Sequence, residues 1–145
     1  MAIAHVVGRQ RHPVAQLGDS RRRVGWGDPI DDQPGDRRFK IEIDYFSPPR
    51  AVLGRGRAIP LAELGVSRGG LFWFFTADNP EVLVKVLDAC TPALGNRFWV
   101  FLTAGTDLGY SLTVTDTASG LQRTYANEDG APALPVQDVD AFPCP

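Results

Sequence analysis

From Arg38 onward, apolar and polar positions along the chain alternate with a period of two. Phe39, Ile41, Ile43 and Tyr45 interleave with Lys40, Glu42 and Asp44, the pattern of a strand with one buried and one wet face. SPPR, residues 47–50, ends it, because proline supplies no ladder donor. A weaker strand is predicted from Val52 to Leu61, with Gly54 and Gly56 marking a bulge or an edge position. The strongest candidates follow. Leu71 to Phe75 is wholly apolar, Val82 to Leu87 is rich in Val and Leu around Lys85, and Phe98 to Leu102 is aromatic and β-branched. TADNPE and ACTPALGN join them with the residues that tight connections need. Leu108 to Thr115 alternates again, Leu112 and Val114 against Ser111, Thr113 and Thr115, and DTASG turns it into Leu121 to Tyr125 as a hairpin. NPEVLVKVLDAC also permits a helix, since Val82, Leu83 and Val86 would share a face, but its β-branched density favours a strand.

About seven short strands, with Gly or Pro at most joints and no convincing amphipathic helix, predict an all-β fold, an antiparallel Ig-like β-sandwich. An open barrel is the alternative. The tail APALPVQDVDAF, ending in PCP, holds too many prolines for regular structure and is expected to pack across the sandwich through Val136, Val139 and Phe142. Residues 1–37 have neither period and are expected to form an irregular, disordered arm ahead of a domain at 38–145.

The 145 residues, 43% hydrophobic and 22% charged, suffice for one domain with a core. A net charge of -2 gives no global reason to expect DNA or an acidic membrane as partner. Arg21, Arg22 and Arg23 are followed by Asp28, Asp31, Asp32 and Asp36, so that run reads as solvated and no nucleic-acid partner is expected. No apolar run approaches the ~18 residues of a membrane span, and MAIAHVVGRQRH has too short an apolar stretch for a signal peptide. Cys90 and Cys144 lie too far apart for a C-x-x-C motif. They are either a long-loop disulfide or two buried thiols, and an oxidising compartment favours the disulfide.

Candidate chemistry begins at GVSRGG, where Gly65, Ser67 and Gly69 match the G-x-S-x-G pattern of a nucleophile elbow. The context argues for a turn instead: a strand follows where the elbow needs a helix, and the two histidines, His5 and His12, both lie in the arm. Those two cannot supply the cluster of a metallo-lactonase, so no zinc is expected. Calcium needs only oxygens. Asp78, Asn79 and Asp129 are the favoured ligands, with Asp88, Asp107, Asp116, Asn127 and Glu128 also in turns or at strand ends; turn chemistry explains the same residues. Phe72, Trp73, Phe74, Phe75, Phe98, Trp99 and Phe101 crowd two central strands, and alternation must send some of them outward. An acyl chain or a sugar would fit such a face, whereas a core buried on both sides would absorb the rings.

The strings RRFKIEIDY, GLFWFFTADNPEVLVKVLDAC, NRFWVFLTAGTDLGYSLTVTDTASGLQRTYAN and DVDAF resemble a β-rich domain that recurs, often C-terminally, in extracytoplasmic bacterial proteins of unassigned function. The likeness covers residues 38–142 and implies an extracytoplasmic location. The first 37 residues do not resemble the usual upstream sequence, so the reading frame is expected to begin inside a longer gene. In size and stand-alone form the chain is also similar to small quorum-quenching hydrolases from environmental DNA that open N-acyl-homoserine lactones. Two functions are therefore expected. The first is calcium-assisted hydrolysis of a small lipophilic lactone, with Ser67, Asp88 and Asp107 as candidate catalytic residues; the alternative is a non-catalytic module for adhesion or for carbohydrate or peptide binding.

Overall fold

A computed structural model describes residues 38–61, 64–66 and 68–145. Ser67, the histidines and the arm at 1–37 lie outside the described residues. The first strand forms where alternation is cleanest: β1, Phe39–Ser47, buries every odd-numbered residue and turns the even-numbered ones toward solvent. A 3-10 turn at Pro48–Arg50, closed by Ala51 at φ 53, reverses the chain into β2, Val52–Arg55. The predicted strand from Val52 to Leu61 is in fact two. At Gly56 the chain leaves β2 and enters β3, Arg57–Ile59, in the opposite sheet. A Cβ at Gly56 would lie 3.2 Å from that of Ile43 and 3.3 Å from the Phe74 ring, so the crossover passes too close to the core for a larger residue.

Three strands follow as a meander: β4, Gly69–Trp73, β5, Pro80–Ala89, and β6, Arg97–Ala104. Next come the hairpin strands β7, Gly109–Asp116, and β8, Gln122–Asn127, and finally β9, Val136–Pro143. The tail is thus regular, which corrects the expectation drawn from its prolines. Pro132 and Pro135 precede the strand and Pro143 ends it, while the segment between is free to pair with β6.

Nine strands among the described residues, rather than about seven, make two antiparallel sheets in the orders β2-β1-β7-β8 and β3-β4-β5-β6-β9. The fold is the expected all-β sandwich: it shares two sheets over one core with Ig-like domains, in a strand order of its own. Among the described residues no helix is long and apolar enough to cross a membrane.

The inner faces meet in one cluster. Ile41, Ile43, Leu112 and Val114 from the four-stranded sheet face Phe72, Val84, Val100 and Phe142 from the other, all essentially inaccessible; each such side chain contributes about 1.5–3 kcal/mol by leaving water. Tyr45 stacks on Phe74 at 4.4 Å and donates its hydroxyl to the Phe74 carbonyl at 2.8 Å, joining the sheets on one side. On the other side β8 reaches β9: Tyr125 donates to Asp138 at 2.7 Å and Arg123 to the Ala141 carbonyl at 2.7 Å. Cys90 and Cys144 form a disulfide that ties the end of β5 to the end of β9.

The outer faces differ. The four-stranded sheet is wet outside, with a Lys40–Glu42 pair at 2.7 Å, an Arg55–Asp44 pair at 3.0 Å and a Thr113–Thr124 hydrogen bond. The five-stranded sheet instead turns Leu71, Trp73, Leu87, Trp99 and Phe101 outward, all half-buried. The rings are therefore divided between core and surface. The tail does not cover them, because it extends the sheet edge as β9.

Candidate functional site

Connecting segments collect at the two ends of a sandwich, where they are free of the ladder's hydrogen-bonding demands and carry most binding chemistry. At one end the segments after β1, β4, β6 and β8 enclose an open groove of about 730 Å³. Val52, Phe75, Leu108 and Pro132 make its apolar lining, and Arg50, Asn79, Glu81, Thr106 and Asp107 contribute the polar groups.

The scaffold of the groove is hydrogen-bonded backbone. Gly105 N–H donates to the Glu81 carbonyl at 2.8 Å, Gly130 N–H to the Asp107 carbonyl at 2.7 Å and Ala133 N–H to the Thr106 carbonyl at 3.4 Å. Asn127 spends its side-chain amide on the carbonyls of Leu108, Glu128 and Ala131. That is turn chemistry, and it leaves no donor over for another partner.

Arg50 sits at the end of the Pro48–Arg50 turn and grips Asp107 with two parallel hydrogen bonds, 2.9 Å to Oδ1 and 2.5 Å to Oδ2. A fork of this kind fixes the plane of the guanidinium. The hydrogen bond from Arg50 holds the Asp107 carboxyl below the usual carboxylate range, and the same bond raises Arg50. Both stay charged at neutral pH.

Glu81 is the opposite case. It follows Pro80 at the start of β5, only 9% exposed, and accepts from the Asn79 side-chain amide at 2.8 Å. Burial pushes its pKa up, against the Asn79 hydrogen bond. A desolvated carboxylate of raised pKa is a better proton acceptor than an exposed one, and two acids in one groove pushed in opposite directions suit different tasks.

Of the two predicted catalytic residues that are among the described ones, Asp107 reaches this groove, and its role is to hold Arg50. Asp88 lies at the other end of β5, about 23 Å from Glu81 at ~3.3 Å per residue. There its carboxylate accepts the Cys90 N–H at 2.8 Å, so Asp88 and Asp107 cannot act on one substrate. Ser67 is outside the described residues.

The predicted calcium ligands are likewise only partly gathered. Asn79 lines the groove, whereas Asp78 is exposed in the turn closed by the Asn79 N–H and the Thr76 carbonyl. Asp129 accepts from Ser47 Oγ at 3.0 Å, and its Oδ1 is buried without a hydrogen-bond partner. Calcium requires six to eight oxygens, and among the described residues no three His, Cys, Asp or Glu side chains converge as a metal group would. Asp116 is buried beneath Arg38 at the far end, its oxygens occupied.

Glu81 and Arg50 were not singled out from sequence. The available signals were an acid wedged between Pro80 and the apolar run VLV, and a cation placed directly after two prolines. No family model, no curated protein and no solved structure matches this chain.

Proposed function

We propose that the groove binds a small amphipathic acyl ester, such as an N-acyl-homoserine lactone, and hydrolyses it. The observation that carries this reading is one groove that combines an apolar lining, a sequestered carboxylate and a guanidinium held in a fixed plane. The acyl chain would lie along Val52, Phe75, Leu108 and Pro132. Glu81 would take a proton from water as it attacks the lactone carbonyl, while the Arg50 guanidinium faces the oxyanion that develops. Collapse breaks the ring C–O bond, and the leaving alkoxide recovers the proton from Glu81. The product is the ring-opened hydroxy acid.

Asp107 is a positioning residue in this scheme: without it Arg50 loses its orientation but the base remains. No step passes through calcium, and a metal contribution is read separately by a chelator.

The test is to incubate purified protein with a medium-chain N-acyl-homoserine lactone, with and without chelator, and follow the ring-opened acid by mass spectrometry. Glu81→Gln should reduce turnover by ~100-fold or more, within the range for loss of a general base. Asp88→Asn, at the far end, and Ser67→Ala should leave it unchanged. Absence of turnover above buffer, or full activity in Glu81→Gln, would overturn the assignment.

A further inference from the structure

Phe75 occupies a place that strand alternation does not give it. It has the parity of Leu71 and Trp73, which β4 turns to the outer face, so a continued strand would carry it there too. The ladder with β5 instead slips at Phe72 and Trp73 and stops at Pro80, which has no N–H to donate. Released there, the chain keeps Phe74 in the core, 3% exposed, and swings Phe75 toward the opposite sheet. Its ring meets Tyr45 edge-on, 5.6 Å between centroids, and lines the groove.

The ring is held but not covered. Behind it Tyr45 is fixed twice, stacked on Phe74 at 4.4 Å and hydrogen-bonded to the Phe74 carbonyl at 2.8 Å. In front, 52% of Phe75 stays exposed, whereas Leu108 in the same lining is 3% exposed and offers a ligand little. Among the described residues Phe75 is the one aromatic group of the lining. Its position is already fixed, so ordering it costs a ligand little, and the apolar area it shows gains by being covered. Glu81, paired through its carbonyl with Gly105, lies on the β6 side of the groove, while Phe75 lies against β1. A ligand whose head group sits at Glu81 must cross the groove to reach the ring.

We infer that Phe75 is the specificity-determining residue of the groove, selecting long acyl chains over short ones. This rests on the reading of the groove as an acyl site. A short chain leaves the ring in water, and a longer one lays its outer methylenes on it. Each methylene fully removed from water is worth about fourfold in affinity. An open groove covers one side of a chain, which leaves about twofold for each on the same scale.

Ligand-observed NMR titration with N-butanoyl and N-octanoyl cyclopentylamide tests this apart from turnover, because these ligands have no ester to cleave. Wild type should bind the octanoyl ligand about tenfold more tightly than the butanoyl one. Phe75→Ala should compress that ratio to about threefold or less, with Phe75→Leu between the two. Trp99→Ala, which removes a ring from the outer face, should keep the wild-type ratio. Nuclear Overhauser contacts from the terminal methyl of the octanoyl ligand should reach the Phe75 ring, which reads the contact in wild type without any substitution. Binding that is absent or independent of chain length, a full ratio in Phe75→Ala, or contacts to Trp99 in place of Phe75 would each overturn the inference. If the ligands bind as expected and no lactone is opened, the hydrolytic reading falls and the chain selectivity stands.

Discussion

Replacing Asp116 with asparagine tests how the sandwich is held at the end away from the groove. The Asp116 side chain is wholly buried. Its Oδ1 accepts from Arg38 Nε at 2.8 Å and from the Ala118 N–H at 3.1 Å; its Oδ2 accepts from Arg38 Nη2 at 2.8 Å and from Ser119 Oγ at 2.7 Å. These bonds, those from Arg38 foremost, hold the carboxyl at about 2 against the opposing effect of burial. A carboxyl whose pKa falls on folding stabilises the folded state while ionised. That contribution is complete above the unfolded value of 3.8 and is lost as pH drops through about 2. A fall of that size corresponds to about 2 kcal/mol, at ~1.4 kcal/mol per pH unit.

Asparagine keeps the shape but cannot ionise. Urea unfolding followed by tryptophan fluorescence should show Asp116→Asn about 2 kcal/mol less stable at neutral pH, the gap closing between roughly pH 4 and pH 2. Other carboxylates cancel in the comparison. Asp116→Ala should cost more, about 3–5 kcal/mol, because the donors of Arg38, Ala118 and Ser119 all lose the buried carboxylate they share and a gap opens beneath Arg38. If wild type and Asp116→Asn lose stability in parallel across the acid range, the ion pair is not what holds this end together.

Three further outcomes are expected. Replacing both Cys90 and Cys144 with serine reopens a loop of separation 54, which chain entropy values at about 4 kcal/mol; calorimetry should show the melting temperature falling by ~10–20 °C, and a fall of only a degree or two would contradict this. Gly109→Ala would press a Cβ into the Phe46 ring, closer than real Cβ contacts allow, costing about 1–3 kcal/mol by overpacking, and Phe46→Ala in the same chain should relieve much of it, as a double-mutant cycle in urea would show. Glu81 is buried with a raised pKa, so its ionised form opposes folding above its unfolded pKa; Glu81→Gln should unfold no more easily than wild type at neutral pH, and a clear loss of stability would refute that sign.

Legibility in the sequence followed the range of the interaction. Alternation from Phe39 to Tyr45 and from Leu112 to Val114 is a local property, and those residues line the core as predicted. The predicted Leu71–Phe75 strand runs instead from Gly69 to Trp73, because pairing with β5 pulls the two glycines into the ladder and releases Phe74 and Phe75. The prolines of the tail do not keep it out of the sheet: an edge strand tolerates them at its ends, and β6 offers the edge it pairs with. At the candidate site, Asp107 and Asn79 were among the predicted residues, but their neighbours Arg50 and Glu81 come from other connections that sequence spacing does not bring together.

What the sequence determined by itself is the β character of the apolar runs between Phe39 and Tyr125 and the inward or outward sense of most of their side chains, since period-two patterning is carried by each strand alone. Tertiary structure decided the rest. It split residues 52–61 between two sheets at Gly56, made the tail a strand, joined Cys90 to Cys144, and sent Asp88 and Asp116 to one end and Asp107 to the other. It also turned Trp73, Trp99 and Phe101 to the outer side of the five-stranded sheet, half-buried. These outcomes depend on which strand edge meets which, and on residues far apart in the chain arriving at the same end of the sandwich; that is a matter of register and long-range packing, which no local pattern encodes.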